Sequence, residues 1–226
     1  MARRNLFYLL LGATTGGAGG TDTSDATATE SDIRLGKTAY GATGKMAGII
    51  PDYDGATVPS SGKSLFTQLA DGSITEVTAS DLTGMTEVRD GAFKYCVDLT
   101  SITIPDSAKS ISFEAFYNCT SITNITIGNG VKSIGEMAFY GCRNLASLTI
   151  GSGVTFFFTR AFKYCGQNTT DGVTITILAT TPPTIQSGTF ADSTINKIIV
   201  PKGLGDAYKA ATNWSALADY IEEAVE

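Results

Sequence analysis

The amino-acid sequence predicts a mainly β solenoid of about five 23-residue coils, with a small N-terminal helix-hairpin module and a C-terminal helical cap. A tetrad, Ala-Phe-x-x, each time followed by Cys, recurs at intervals of 23 residues. Its four copies are Ala92/Phe93/Cys96, Ala115/Phe116/Cys119, Ala138/Phe139/Cys142 and Ala161/Phe162/Cys165. Apolar positions around the tetrad keep the same spacing, as at Ile102, Ile125 and Leu148. Because so short a unit cannot enclose a core alone, successive coils must cover one another.

Each coil is expected to supply a strand to a parallel sheet. Leu99, Ile102 and Ile104 are expected to point inward, and Ile102 and Ile104 share a face because every second side chain of a strand points to the same face. The next coil repeats this row, and the two strands should pair in register. Pro105, Gly128 and Gly151 then turn the chain at the strand ends. The phenylalanines of the tetrads are expected to stack through the middle of the solenoid.

The fourth coil departs from the pattern. Residues 166–172 form an insertion, so the next strand begins at Val173. Insertions of this kind tend to form surface loops. In the same coil Phe157 takes the inward phase, which leaves Phe156 and Phe158 facing outward. Either these two rings meet the inserted loop, or they mark an assembly contact.

Both ends of the solenoid are expected to be covered, because an uncovered coil exposes an apolar face and unpaired strand edges. Residues 72–82 should cap the first coil. A degenerate coil through Phe190 and Val200 precedes the C-terminal cap, where a helix restarting at Asn213 or Ser215 should bring Trp214, Leu217 and Ile221 onto the last coil. The complete domain would therefore comprise a solenoid with its N-terminal cap at 63–203 and a helical cap at 204–226.

The region before the solenoid divides into two parts. Residues 1–25 read as an arm and a Gly-rich linker, and 26–62 as a small attachment module with its connector. Within the module, a short helix ending at Gly36 precedes a hairpin around 41–44. The arm carries an apolar run that is short for a signal sequence, and we interpret it as an assembly contact with a partner or another copy of the chain. The run comprises Leu6, Phe7, Tyr8, Leu9, Leu10 and Leu11.

Composition excludes several function classes. The net charge is -6 and no run of Lys or Arg occurs, which argues against binding to nucleic acid. The chain contains no histidine, so the Ser-His and Cys-His nucleophile pairs are impossible. No apolar segment is long enough for membrane insertion. We predict no catalytic residues, no metal site and no cofactor.

The four cysteines form one column in this scheme. Their spacing contains no C-x-x-C pair, and residues in the same phase of neighbouring coils lie about 4.8 Å apart. That distance leaves disulfides between coils open, but buried, reduced thiols are the preferred interpretation.

The repeats resemble the BspA-like class of leucine-rich repeat. Its pattern is Leu-x-x-Ile-x-Ile-Pro/Gly-x-x-Val-x-x-Ile-Gly-x-x-Ala-Phe-x-x-Cys, and residues 99–141 match it nearly position for position. The resemblance spans about residues 82–221. It implies a leucine-rich-repeat solenoid with a helical ending.

A second resemblance concerns residues 27–50. Their pattern Asp-Ile-x-x-Gly-Lys-Thr-Ala-Tyr-x-x-x-Gly-Lys-x-x-Gly-x-Ile resembles a small module of tail, fibre and other virion proteins of tailed bacteriophages and prophages. It implies attachment to a larger particle.

Two exposed rows are the predicted binding residues. The outward strand positions form polar columns that could hydrogen-bond saccharides, although threonine also favours strands for packing reasons alone. These positions are Ser101, Thr103, Asn124, Thr126, Ser147, Thr149, Thr174 and Thr176. The second row consists of tyrosines that follow the core phenylalanines. Their rigid rings and hydroxyl groups suit ligand recognition, although tyrosine at this position is also typical of the repeat without any binding role. It comprises Tyr95, Tyr117, Tyr140 and Tyr164.

These features lead to a non-enzymatic function. The main hypothesis is a structural protein of a tailed phage virion, a head fibre, decoration or tail-tip component assembled in the host cytoplasm. Its expected partners are other virion proteins through the arm, further copies of itself, and a host cell-surface glycan or protein. The alternative is a bacterial surface or secreted adhesin-like repeat protein.

Overall fold

The computed structural model describes residues 40–41, 44–45, 68–69 and 73–225. In the first two of these segments, β1 (Tyr40–Gly41) pairs antiparallel with β2 (Gly44–Lys45), and this pair is the predicted hairpin. The predicted helix of that module, the N-terminal arm with residues 6–11, and the linker lie outside the described residues.

Residues 73–225 form a solenoid with two parallel sheets. The large sheet contains β3 (Glu76–Val77), β5 (Ser101–Ile104), β7 (Asn124–Ile127), β9 (Ser147–Ile150), β11 (Val173–Ile177), β13 (Ile195–Val200) and β14 (Ile221–Glu223), in that spatial order. The small sheet contains β4 (Glu87–Val88), β6 (Ser110–Ile111), β8 (Ser133–Ile134), β10 (Phe156–Phe157) and β12 (Thr184–Ile185). Every strand of both sheets pairs with the equivalent strand of the neighbouring coil.

The predicted register of the large sheet is confirmed. Ile102 pairs with Ile125, which pairs with Leu148, and all three side chains are buried. The intervening residues face solvent, so each strand alternates between core and surface. On the small sheet Ile111, Ile134 and the other inward residues form the opposite wall of the core.

The phenylalanines of the tetrads stack in one column, as predicted. Consecutive ring centroids lie 4.9, 4.9 and 5.2 Å apart, and the planes differ by 5° or less. Phe190 of the degenerate coil extends the column at 5.3 Å from Phe162. This spine is the central element of the core, and it runs along the axis of the solenoid.

The tetrads form a third hydrogen-bonded side. Here the backbone N–H of Phe116 donates to the carbonyl of Ala138 (2.6 Å), and the N–H of Asn118 donates to the carbonyl of Tyr140 (2.7 Å). Two residues of each turn adopt positive φ, one directly before the alanine and one three residues after it, as Glu114 and Asn118 do. The left-handed conformation lets the chain turn twice within one tetrad.

All four cysteines are free thiols. The Sγ atoms of Cys119, Cys142 and Cys165 donate to the carbonyls of Phe93, Phe116 and Phe139. Burial, together with the neighbouring charge of Asp98, raises the pKa of Cys96 to about 12. Burial likewise raises the pKa of Cys119 and Cys142 well above the usual range. The interpretation as buried thiols is therefore confirmed for Cys119, Cys142 and Cys165, whereas Cys96 is half-buried, and the disulfide alternative is not borne out.

The C-terminal cap is only partly helical. It contains α1 (Gly205–Ala210) and a 3-10 helix (Ser215–Tyr220). Trp214 is fully buried against the last coil, with its indole N–H donating to the carbonyl of Pro183 (2.6 Å). Tyr208 is also buried and donates to the carbonyl of Ala179 (2.7 Å).

One expectation about the ends of the solenoid was wrong, and another was incomplete. Ile221 begins a strand rather than continuing a helix, because the free edge of β13 offers unpaired backbone groups and β14 pairs with them. At the other end, the segment that was expected to cover the first coil also supplies β3 to the large sheet. The solenoid therefore has about six turns rather than five, and β14 adds a seventh strand to its large sheet.

Within the described residues, no helix has the length and apolar character needed to cross a membrane.

Candidate functional site

The outward positions of the large sheet form two straight columns, here called the sheet columns. Strand pairing places Ser101, Asn124, Ser147 and Thr174 side by side, and does the same for Thr103, Thr126, Thr149 and Thr176. Asn124, Thr126 and Ser147 are exposed, and the other five are half-buried. The sequence thus predicted correctly which residues lie together. Whether they bind a ligand stays a prediction.

Charged residues border the sheet columns at both ends. Glu76 of β3 pairs with Ser101, and Lys197 of β13 pairs with Thr174. Lys197 in turn lies 3.7 Å from a carboxylate oxygen of Glu222 in β14. The uncharged part of the column that contains Ser101 is therefore limited to four coils, whereas the threonine column continues onto Ile199, which pairs with Thr176. Sequence reasoning missed Glu76 as a border because β3 was not expected to be a strand of the sheet.

The four predicted tyrosines form a continuous row, here called the tyrosine strip. The rings of Tyr117 and Tyr140 are stacked, with centroids 4.8 Å apart and planes 4° from parallel. Tyr95 packs edge-on against Tyr117 at 5.6 Å, and Tyr164 packs edge-on against Tyr140 at 5.2 Å. The row crosses four coils on the side of the tetrads, away from the two sheets.

The strip is built from two backbone positions rather than one. Tyr117 and Tyr140 directly follow the core phenylalanines, whereas Tyr95 and Tyr164 come one residue later, at φ 61° and 63°. Few tyrosines adopt this left-handed conformation, which carries a steric cost for a residue with a Cβ. The offset turns the end rings perpendicular to the central pair.

Cations lie against the rings at both ends of the strip. The ammonium of Lys94 lies 4.9 Å from the centroid of Tyr117, and that of Lys163 lies 4.7 Å from the centroid of Tyr164. Such distances are within the range of cation–π attraction. Sequence reasoning missed both lysines, although the 23-residue period places Lys94 and Lys163 in the same phase as Tyr117 and Tyr140.

Each of these lysines is paired with a carboxylate. Lys94 bonds to Glu114, and Lys163 lies 3.2 Å from an oxygen of Asp192. The hydrogen bond to Asp192 raises the pKa of Lys163. Burial raises the pKa of the Tyr117 phenol, and the neighbouring tyrosines and Glu114 contribute in the same direction. The Tyr117 phenol therefore acts as a neutral hydroxyl group at neutral pH.

The inserted loop borders the C-terminal end of the strip. The guanidinium of Arg143 donates to Oε1 of Gln167, and its central carbon lies 5.3 Å from the ring centroid of Tyr164. Nε2 of Gln167 donates to the carbonyl of Asp192 (2.8 Å), and the N–H of Asn168 donates to the carbonyl of Arg143 (2.9 Å). The loop thus holds the arginine beside the terminal tyrosine.

Phe156 and Phe158 face outward on the small sheet. Their ring centroids are 4.7 Å apart, and Phe158 remains 41% exposed. The two rings contact each other, while the hydrogen bonds of the inserted loop run to the side of the tetrads. Their role as an assembly contact stays a prediction.

The described residues contain no group of three His, Cys, Asp or Glu side chains placed to hold a metal ion. The hydroxyls, amides and cations described above can form hydrogen bonds and ion pairs with a ligand.

Comparison with known proteins identifies the class. A family model described as BspA type leucine rich repeat region matches six copies over residues 86–216, more than half of the chain. The chain belongs to this family. The residues 27–50 that resemble phage modules lie outside the matched region, and the comparisons give that resemblance no support.

Three solved structures are similar to the chain. A leucine rich repeat protein of T. pallidum has 22% identity and a TM-score of 0.47, covering 55% of this chain and 58% of that protein. A leucine rich cell surface protein of Faecalibacterium prausnitzii A2-165 has 26% identity and a TM-score of 0.48, covering 59% and 34%. A leucine-rich repeat protein of Bacteroides ovatus ATCC 8483 has 22% identity and a TM-score of 0.42, covering 67% and 43%. The chain thus spans less than two thirds of each of these proteins. No curated protein matches it significantly.

Proposed function

We propose that the protein is a non-enzymatic recognition scaffold, displayed on the surface of a bacterium or secreted by it. The observation that carries this proposal is the pair of sheet columns, eight outward side chains held in register over four coils. The fully buried residues beneath them make the array rigid, which lowers the entropy lost on binding. Membership of the BspA-type repeat family supports the same function.

Binding by the sheet columns is tested with the full chain. The labelled protein is applied to a glycan array and to an array of random 12-residue peptides. The test variant carries Thr126→Arg and Thr149→Arg, which place bulk and charge on adjacent strands of the columns. The matched control carries Ser110→Arg and Ser133→Arg, the same kind of paired outward positions on the small sheet. Ligands captured by the wild type and the control, but lost by the test variant, are expected. Equal capture by all three proteins would contradict a binding role of the columns.

Display outside the cell is tested separately. Intact producing cells are treated with a protease, and the chain is followed by mass spectrometry together with its amino-terminal sequence. Rapid loss of the chain from intact cells, or its recovery from the medium, is expected. A chain that stays protected until the cells are lysed would contradict display.

A phage virion component remains the second proposal. It is supported by the sequence resemblance at 27–50 and by the antiparallel pairing of β1 and β2 within that segment. Electron microscopy of particles labelled with an antibody against this chain would locate it on a head or tail. Particles that carry no label while the chain is found on bacterial cells would reject this proposal.

A further inference from the structure

We propose that the tyrosine strip and the inserted loop form a binding site for an acidic peptide segment of a partner protein. This inference rests on the proposed recognition function but uses a different surface from the sheet columns. The strip lies on the side of the tetrads, and the columns lie on the large sheet.

The first argument is the state of Arg143. Its side chain is exposed, and it takes part in none of the salt bridges found among the described residues. The lysines of the same strip, in contrast, already contact Glu114 and Asp192. Arginine carries five N–H donors that match a carboxylate, and the described bond to Gln167 engages one of its nitrogens. Because Arg143 has no salt bridge to any described residue and is exposed, a ligand carboxylate can reach it.

The second argument is that Arg143 is held in place before any ligand arrives. The ring of Tyr164 lies against the guanidinium, and Gln167 links it to the backbone of Asp192. Restricting a long side chain in this way lowers the entropy lost on binding. The residues that hold it come from the fourth coil and its insertion, which the other coils lack. An insertion in one repeat of a solenoid often lies on the binding face.

The third argument concerns the rings, and it favours a peptide over a sugar. A sugar ring stacks on an open aromatic face, but Tyr117 and Tyr140 cover a face of each other. At the ends of the strip, cations lie over Tyr95 and Tyr164. The two central rings therefore each have one face covered by the other, and Tyr95, which is 54% exposed, is the most exposed of the four rings. Tyrosine and arginine in this arrangement are the residues that dominate protein–protein recognition.

The experiment uses the full chain and an array of random 12-residue peptides. Peptides bound by the wild type are expected to be enriched in Asp and Glu. The best of them is resynthesised with Asn and Gln in place of its acidic residues, and both forms are titrated by fluorescence anisotropy. Loss of the carboxylates should raise the dissociation constant at least about tenfold, as should raising the salt concentration from about 0.05 to about 0.5 M.

Two variants assign the effect to the site. Arg143→Gln should weaken binding of the acidic peptide by roughly tenfold, because a charge-assisted contact is lost. Lys132→Gln is the matched control, since it removes the same charge from an exposed lysine beside the small sheet, and it should bind like the wild type. Gln167→Ala leaves the charge intact and should weaken binding by a smaller factor.

The outcomes separate this inference from the proposed function. Absence of acidic enrichment, or equal affinity of Arg143→Gln and Lys132→Gln, would overturn the peptide site. Loss of acidic peptides from the variant carrying Thr126→Arg and Thr149→Arg, with Arg143→Gln unaffected, would place their binding on the sheet columns instead. That result would support the recognition function while rejecting the site on the tyrosine strip.

Discussion

Replacing Phe139 by alanine tests whether the phenylalanine spine carries the stability of the solenoid. The ring is fully buried and stacks on Phe116 at 4.9 Å and on Phe162 at 5.2 Å. Removal of a buried phenylalanine costs about 3–5 kcal/mol, which includes the cavity that it leaves. Phe93, at the end of the spine, has one stacked neighbour and is 7% exposed. Because an aromatic pair contributes about 0.5–1.5 kcal/mol beyond its buried area, Phe93→Ala should cost about 1 kcal/mol less than Phe139→Ala.

Urea unfolding of the full chain, followed by circular dichroism, measures both costs. Phe158→Ala is the control, because this ring is outside the core and loses chiefly its contact with Phe156, so its removal should cost about 1 kcal/mol. If Phe139→Ala does not fold, Phe139→Leu provides a milder change of the same kind. Equal costs for Phe93→Ala and Phe139→Ala, or a cost below about 1 kcal/mol for Phe139→Ala, would refute a spine in which each ring is stabilised by its neighbours.

Three further predictions concern the cap, the thiols and one turn. The pKa of Glu223 is lowered by two backbone N–H groups near the start of α1 that donate to its carboxylate at 2.8 Å. A lowered folded-state pKa gives stability that is present above the unfolded pKa and lost as the pH falls through the folded pKa. The wild type should therefore unfold at higher temperature than Glu223→Gln near pH 7, and the difference should vanish near pH 2; a constant difference would contradict the reasoning. Cys119 and Cys142 should resist iodoacetamide in the native protein at about pH 8, because burial raises the pKa of both thiols. In denaturant both thiols should react fully, and mass spectrometry measures the extent of alkylation. Alkylation of the native protein at the rate of a free thiol would contradict their burial. Gly130→Ala should lower the free energy of unfolding in urea by about 1–3 kcal/mol, because a Cβ would lie 1.8 Å from the carbonyl oxygen of Asp106. An unchanged midpoint would show that the backbone of the turn moves to accommodate the methyl group.

The 23-residue period determined most of what the sequence could predict. Residues in the same phase lie in the same environment, so the alternation of Ile102 and Thr103 was sufficient to assign one to the core and the other to the surface. The same reasoning placed the phenylalanines in one column and the cysteines behind them. Register followed without further information, because a shift of one residue would bury the threonines and expose the isoleucines.

The ends of the solenoid could not be read in this way. Residues 215–221 resemble a helix locally, yet Ile221 pairs with Ile198 because the last coil leaves a strand edge without a partner. The local sequence does not reveal this unpaired strand edge, because the edge exists only once the coils have stacked. The same holds for β3, which a pattern of period 23 does not identify because it precedes the first clear repeat.

The 23-residue period also did not predict the polar contacts of the tyrosine strip, and the reason concerns where the proposed ligand would bind. Repetition explains why Tyr117 stacks on Tyr140, since identical phases lie one coil apart. It does not explain Arg143, whose counterparts in the neighbouring coils are Thr120 and Gly166, nor the loop that holds it. A solenoid gains stability from what its coils share, but a ligand can distinguish one coil from the next only through what they do not share. The two departures from the repeat, an unmatched arginine and an insertion, contact each other in the structure. Their coincidence at one end of the tyrosine strip is therefore the observation on which the proposed peptide site chiefly depends.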